Sequence, residues 1–514
     1  MSLARQEAIT PTPDLATLPF EHAQRSGDDI LRAASFLCHT NGSDTQSFER
    51  FLTGFGDTLS PDDLFVYSRV VPAIVQHPTT PAEGIRAFID VDKKQLSRVH
   101  KWIQSSEMLR MVVTSHYYPG YLMVRYAQSF LKDLVENSQY LKDVVDRKPV
   151  APKRLEVHAT NASCNYRCVM CLWHVQGKGK YAYSPERQLL SVGNWNEVLD
   201  QAKEMGTEVI IFSGGGEPLL RSNAGEVIDH ANKIGLSTMI YVNGSQLESL
   251  PEDSQLYQAI LDSDWLRVSL HATTDERYAS LVQLPKEVKP LSRVIRGIER
   301  LKRDRDRLGK PLKIGLGFVA QHDNFDQVYQ VAELAKKLGM DLLNIREDCI
   351  DITQHLSAGE KKLLYQQLRN IRTGIETGTY GDMDVDFADS MIAPMNGWSR
   401  TPHVETSNDC KVHLYRSAID PFGRVAVCDL VSEPFFATDN LTLGFISPET
   451  DYRMVLGQAA EKQFDARLCT QCMPGQKAIN ALWFKVLEDA RHGINPKDQP
   501  LLFDRNQTIG IRHD

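Results

Sequence analysis

The sequence predicts an α/β chain whose centre is a partial (βα)6 barrel, with an all-helical domain before it and a small cysteine-bearing module after it. Three observations carry this expectation. Six strand-like segments alternate with helical ones between residues 154 and 347. Upstream, apolar residues recur at three- and four-residue spacing with no strand pattern. Downstream of residue 377 the helical pattern stops, and short strand candidates and turns surround four cysteines.

Taken in order, residues 1–26 are rich in Pro and Thr and are expected to be flexible. Residues 27–150 read as the helical domain, in segments such as DDILRAASFL, PDDLFVYSRVVPAIVQ and YLMVRYAQSFLKDLVENSQYLKDVVD. SHYYPG at 115–120 interrupts the last two helices and brings Tyr117 and Tyr118 to a turn. RKPVAPKR then reads as a linker. The barrel, 151–376, has strand candidates at 154–159, 208–213, 237–242, 265–271, 312–320 and 341–347. Intervening helices such as SRVIRGIERLKRDRDRLG and FDQVYQVAELAKKLG end in Gly, a frequent helix C-terminus. Parallel strands joined by right-handed crossovers follow, with chemistry at the C-terminal strand ends. A further helix is expected near 358–376, the module over 377–480, and a last helix and tail over 481–514.

Length and composition narrow the classes. A chain of 514 residues divides into several domains. Its 42% hydrophobic and 24% charged residues are those of a globular protein. A net charge of −8 argues against a nucleic-acid partner. No apolar run reaches the ~18 residues of a membrane span, and the N-terminal segment has no signal-like core. The expectation is a cytoplasmic protein without membrane contact. Nine cysteines are too few and too unevenly spread for a disulfide framework. Seven of them fall into two groups with ligand-like spacing.

The first group is Cys164-x3-Cys168-x2-Cys171, directly after the first strand candidate. Thiolates are the soft ligands of iron–sulfur clusters. Three of them on a four-iron cube leave one iron open to a cofactor or substrate. A zinc site completed by His174 has the same donors, and buried spectator thiols are a third reading. The second strand candidate ends in SGGGEP, with Gly215, Gly216, Glu217 and Pro218.

A cysteine triad after strand one and a Gly-Gly-Glu-Pro turn after strand two together resemble the radical S-adenosylmethionine superfamily. Met170 stands where an aromatic is more usual, just before the last cysteine, and Tyr166 lies two before Cys168. The resemblance implies a [4Fe–4S] cluster on Cys164, Cys168 and Cys171, with S-adenosylmethionine chelating the open iron. It also implies cofactor contacts at Gly215, Gly216, Glu217 and Pro218, and at Asn243 and Ser269 after strands three and four. Asn243 and Ser269 read equally well as strand-end turn residues, and His271 as a satisfied core histidine. The implied chemistry is one-electron cleavage of the cofactor to methionine and a 5′-deoxyadenosyl radical, which removes hydrogen from an unactivated carbon.

The second group, Cys410, Cys428, Cys469 and Cys472, brackets PFGRV, a hairpin turn at Gly423. Four thiolates can close a complete cluster or a structural zinc site. With Gly423-x4-Cys428 and the closing CxxC, the module resembles the shortened "twitch" form of the SPASM auxiliary-cluster module, which implies a second [4Fe–4S] cluster. Over roughly 85–375 the chain further resembles radical lyases of deoxyaminosugar biosynthesis and, more distantly, an aminoglycoside dehydratase, best in NIRED. The implied substrate is a sugar-like small molecule that loses ammonia or water, and the implied partner an electron donor such as flavodoxin or ferredoxin. The complete auxiliary set departs from the sugar deaminase and suits two-electron alcohol oxidation instead. Epimerisation is a third outcome, with Cys349 returning hydrogen, although Cys349 also reads as a spectator thiol. Arg346 and Glu347, beside Asp348, are the candidate catalytic residues, as substrate ligands or acid and base. Arg416, Tyr117 and Tyr118 are weaker candidates, and Cys38 reads as core. A peptide substrate ranks third, and a zinc-stabilised scaffold without chemistry last.

Overall fold

The computed structural model describes residues 138–172, 187–348, 356–387, 391, 409–469, 472–473, 476, 479–480, 483 and 487. All belong to one compact unit comprising 129–395, 404–498 and 512–514. The chain enters through α1 (Ser138–Val145) and β1 (Arg154–Val157). Then come α2 (Val192–Glu204), β2 (Val209–Phe212), α3 (Ala224–Lys233), β3 (Ser237–Val242), α4 (Gln255–Leu261) and β4 (Trp265–Ser269). Two helices, α5 (Asp275–Leu281) and α6 (Pro290–Leu308), lead to β5 (Lys313–Ala320). The run closes with α7 (Val328–Leu338), β6 (Leu342–Glu347), α8 (Ala358–Glu376) and β7 (Asp384–Phe387).

Strands β1 to β7 pair in sequence order and in parallel, as expected of βα units. The helices start and stop where local chemistry says they should. Ser191 caps α2 and Ser357 caps α8, each with a reciprocal capping box to the third helical residue, a device worth about 1 kcal/mol. Gly309 and Gly339 end α6 and α7 at φ 62°. The predicted α8 span, 358–376, is the observed one.

Two boundaries are corrected. The sequence assigns α1 to the helical domain and 147–154 to a linker, yet both pack on the sheet-bearing unit. Tyr140 is buried and donates to the carbonyls of Ala151 (3.1 Å) and Leu414. Lys153 is held by Glu208 at 2.7 Å. The module expected to stand apart after residue 377 continues the same sheet. Strand β8 (Arg416–Ile419) pairs in parallel with β1, and β9 (Arg424–Ala426) and β10 (Thr442–Phe445) follow antiparallel. The sheet thus has ten strands in the order β10-β9-β8-β1-β2-β3-β4-β5-β6-β7. Short helices α9 (Asp429–Ser432) and α10 (Tyr452–Ala460) complete this edge. Gly423, at φ 89°, makes the predicted β8–β9 turn.

The two faces of the sheet differ. Alternate residues point to opposite faces, and on one face Val157, Phe212, Ile240, Val268, Leu316 and Ile345 form a buried apolar layer. The other face carries Glu156, Tyr241, Arg267, Ser269, Asn344 and Arg346. Parallel strands covered on both faces are ordinarily apolar on both, so the polar face departs from a purely structural pattern.

Candidate functional site

The cysteine triad lies in the loop that leaves β1. Thr160 Oγ1 donates to the carbonyl of Gly215 at 2.6 Å and accepts from the amide of Ala162 at 3.1 Å. The amides of Arg167 and Val169 donate to Val282 and Leu281. Tyr166 buries its ring edge-on against Tyr278, 6.2 Å between centroids, and Tyr278 donates to the carbonyl of Ser269. Tyr166 is therefore an anchor of the loop. Cys164 Sγ accepts from the amide of Tyr166 at 3.4 Å and from Asn243 Nδ2 at 3.6 Å.

Burial and the neighbouring thiols raise the pKa of Cys168, and burial raises that of Cys164. A soft cationic centre would relieve that cost by stabilising the thiolates. Among the described residues, no group of three or more His, Cys, Asp or Glu side chains could hold a metal ion. The donor set fits a multi-iron cube, whose ligands need not converge on one point.

The turn after β2 is clamped onto this loop. Gly214, Gly215 and Gly216 all have positive φ, at 49°, 62° and 118°, a conformation that favours glycine. At Gly216 a Cβ would overlap the carbonyl oxygen of Ser163 and lie 2.8 Å from its nitrogen. That close approach is sealed by the Glu217 amide, which donates to Ser163 O at 2.9 Å. Pro218 opens a 3-10 turn through Leu220, and Glu217 caps it, accepting from the Leu219 amide at 3.2 Å. The other carboxylate oxygen accepts from the Asn243 amide at 2.7 Å. Burial pushes Glu217 up to about 7 against these two hydrogen bonds. Asn243 also donates to Asn165 Oδ1 at 2.9 Å. Gly215, Gly216, Glu217, Pro218 and Asn243 thus meet around Cys164.

Ser269 lies on the polar face, opposite Gly317 in register. His271 is buried, accepts from the Val319 amide at 3.2 Å and is pushed down to about 4 by burial, with Arg267 and Arg346 adding to the effect. It is the core histidine expected. Arg346, at the C-terminal end of β6, places Nε and Nη2 at 3.3 and 3.2 Å from Asn344 Oδ1, and Asn344 Nδ2 donates to Asp386 at 2.9 Å. Glu347 does not join Arg346. The pleat turns it to the helical face, where Tyr365 Oη donates to it at 2.8 Å and Lys361 pairs with it at 2.9 Å. The Asp348 amide bonds Ala320 O. Cys349, Cys38, His174, Tyr117 and Tyr118 lie outside the described residues.

Sequence reasoning named Arg416 as a weaker candidate but missed the ionic centre it joins on the polar face. Glu156 accepts from Ser213 and from Arg416 (2.9 Å), and His158 lies 3.4 Å away. Arg416 also pairs with Asp429 at 3.1 Å, beside Cys428. Arg267 stacks on Tyr241, 3.6 Å from the ring centroid. The available signal was polar residues at every second position of strands in a parallel sheet.

Cys410, Cys428, Cys469 and Cys472 all line one cavity of about 270 Å³, among apolar neighbours such as Val412, Leu430 and Met473. Burial pushes the Cys410 thiol up to about 11 and Cys428 well above its ordinary value.

Residues 160–307, from the cysteine loop to the end of α6, match the model of the Radical SAM superfamily, whose enzymes bind a [4Fe–4S] cluster and S-adenosylmethionine. No curated protein matches the sequence. Among solved structures, SuiB of Streptococcus suis bound to precursor peptide SuiA is 14% identical, covering 80% of this chain and 83% of its own, at TM-score 0.45. The anSMEcpe enzyme with bound AdoMet is 15% identical over 68% of this chain and 98% of its own, at TM-score 0.43. BtrN in complex with AdoMet and 2-DOIA is 13% identical over 67% and 90%, at TM-score 0.26. These distances bear on neither substrate nor reaction. No helix among the described residues is long and apolar enough to cross a membrane.

Proposed function

We propose that this chain, which carries a Radical SAM superfamily domain at residues 160–307, is a radical enzyme acting on a sugar-like small molecule, with deamination or dehydration as the outcome. The observation that carries the radical reading is the seal between the cysteine loop and the glycine turn at Ser163, Gly216 and Glu217. Cys164, Cys168 and Cys171 would hold the cluster, and the glycine turn, whose missing Cβ atoms let it seat against Ser163 and Pro421, would present its backbone to S-adenosylmethionine. When bound, the pair supplies a 5′-deoxyadenosyl radical that abstracts hydrogen from carbon. Glu217 ties the β2 turn to the β3 turn, and Asn243 restrains Cys164. The buried anchors Tyr166 and Tyr278 keep the loop seated. An electron donor such as flavodoxin or ferredoxin is the expected partner, and a nucleotide aminosugar or aminoglycoside the expected substrate.

The four-cysteine cavity favours a second reading, two-electron oxidation of an alcohol. A second [4Fe–4S] cluster would occupy the cavity and could receive an electron.

Anaerobic reconstitution with iron, sulfide and zinc counting tests both, on the wild type and on a variant with Cys164, Cys168 and Cys171 changed to Ala. About eight irons falling to about four supports two clusters of four irons each. About four falling to none, with one zinc retained, makes the second site structural and removes the alcohol-dehydrogenation reading. No iron in either protein refutes the radical reading.

A further inference from the structure

Arg346 is presented as a recognition group. It is half-buried at the C-terminal end of β6, on the polar face. One edge of its guanidinium, Nε with Nη2, is taken by the neutral oxygen of Asn344. Asn344, itself buried, is oriented by Asp386 on the neighbouring strand at 2.9 Å. Among the described residues no carboxylate lies within ion-pair distance of Arg346, so its charge is steered rather than neutralised. Arg267 shares this face: its stem crosses β5 where Gly317 has no side chain, with a Cβ there 3.2 Å from Arg267 Cδ, and its guanidinium lies on Tyr241. His271, pushed down to about 4 by burial, adds no positive charge to this face. A planar guanidinium with a fixed orientation is the group that suits carboxylate and phosphate oxygens.

We propose that Arg346, supported by Arg267, binds an anionic oxygen group of the substrate, a phosphate or a carboxylate, and that Asn344 and Asp386 are positioning residues for Arg346. Resting on the sugar-like reading above, this selects a phosphate- or carboxylate-bearing sugar over a polycationic aminoglycoside, which offers Arg346 no anionic group.

The test needs neither cluster nor turnover. Inorganic pyrophosphate and malonate are titrated into the full chain, with binding read by 31P and 13C line broadening. The preferred anion identifies phosphate or carboxylate as the source. Arg346→Gln weakens binding of the preferred anion about 10- to 100-fold, the range of a lost charge-assisted pair, and Arg346→Lys recovers part of it. Asp386→Ala weakens binding severalfold, and Asp386→Asn recovers it, a rescue that a merely structural role would not give. The affinity falls as salt rises. Binding of both anions within twofold of wild type in Arg346→Gln overturns the assignment, as does loss of binding that Arg346→Lys cannot partly recover. Displacement of the anion by saturating S-adenosylmethionine also overturns it, because the arginine would then serve the cofactor. Iron content and cofactor cleavage, measured separately, show whether the radical reading stands if anion binding fails.

Discussion

Substituting Gly216 by Ala separates two costs that usually arrive together. The first is backbone strain. Gly216 has φ 118°, and holding an L-residue there costs about 1–3 kcal/mol. The second is a collision with a neighbour that cannot yield cheaply. The added Cβ would lie 2.7 Å from the carbonyl carbon of Ser163, and an ordinary contact begins at 3.4 Å. Ser163 must therefore withdraw by at least about 0.7 Å, against the hydrogen bond its oxygen accepts from Glu217. Because Ser163 is bonded to Cys164, the withdrawal passes to the first thiol of the triad. Gly206 is the control: its φ is 98°, but nothing lies within 4 Å of its added Cβ. Both variants should lose thermal stability, by about 1 °C per kcal/mol for a chain of this length. Only Gly216→Ala should also lose cofactor affinity, by ~30-fold for ~2 kcal/mol. Calorimetric melts with S-adenosylmethionine titration of the reconstituted proteins make the comparison. Equal affinities in Gly216→Ala, Gly206→Ala and wild type would refute the reasoning that the Ser163 contact sets the loop.

Glu217→Gln tests the buried carboxyl. Its folded pKa, about 7, lies above the ordinary 4.5, so the folded state holds a proton that the unfolded state has released. Stability contributed by the neutral form is complete below about pH 4.5 and is lost as pH rises towards 7, by up to ~1.4 kcal/mol per pH unit. Melts of the apoprotein between pH 5 and 7.5 should show a shallower decline in Glu217→Gln, and an unchanged slope would count against the assignment. Glu347→Gln, which faces Tyr365 and Lys361, should cost about 1 kcal/mol of stability. Its kcat should stay within a factor of three of wild type, and a hundredfold fall in kcat with normal stability would return Glu347 to the site.

The sequence was most legible where local chemistry decides structure. Strand β3 is observed at the residues expected, because STMIYV has β-branched and aromatic side chains between a helix ending in Gly235 and a turn at Gly244. The cysteine spacing and the Gly-rich turn were likewise readable, since both are contiguous. Facing was not. Arg346 and Glu347 are neighbours in sequence, and the pleat sends them to opposite sides of β6. Nothing in NIRED says which one meets the polar face until Asn344 and Asp386 are paired across strands. The partnership of Glu156 with Arg416 spans 260 positions, and only the β1–β8 pairing creates it.

That pairing also explains why the second cysteine region is not an appendage. With β8 beside β1, the hairpin that leads towards Cys428 turns directly beside the glycine turn. Pro421 stands against Gly215, its Cγ 2.9 Å from where a Cβ would lie, and its carbonyl accepts from the Leu190 amide. Arg221, just past the glycine turn, holds the Leu190 carbonyl at 2.8 Å and that of Thr160 at 3.2 Å. On the polar side, Glu156, Arg416 and Asp429 form a continuous ionic chain from β1 to the residue after Cys428. Removing one member of so buried a chain leaves an uncompensated charge, at a cost of about 3–5 kcal/mol. The two cysteine regions therefore lie at two ends of one strand pair, and a change that unseats β8 disturbs the glycine turn as directly as one made within it.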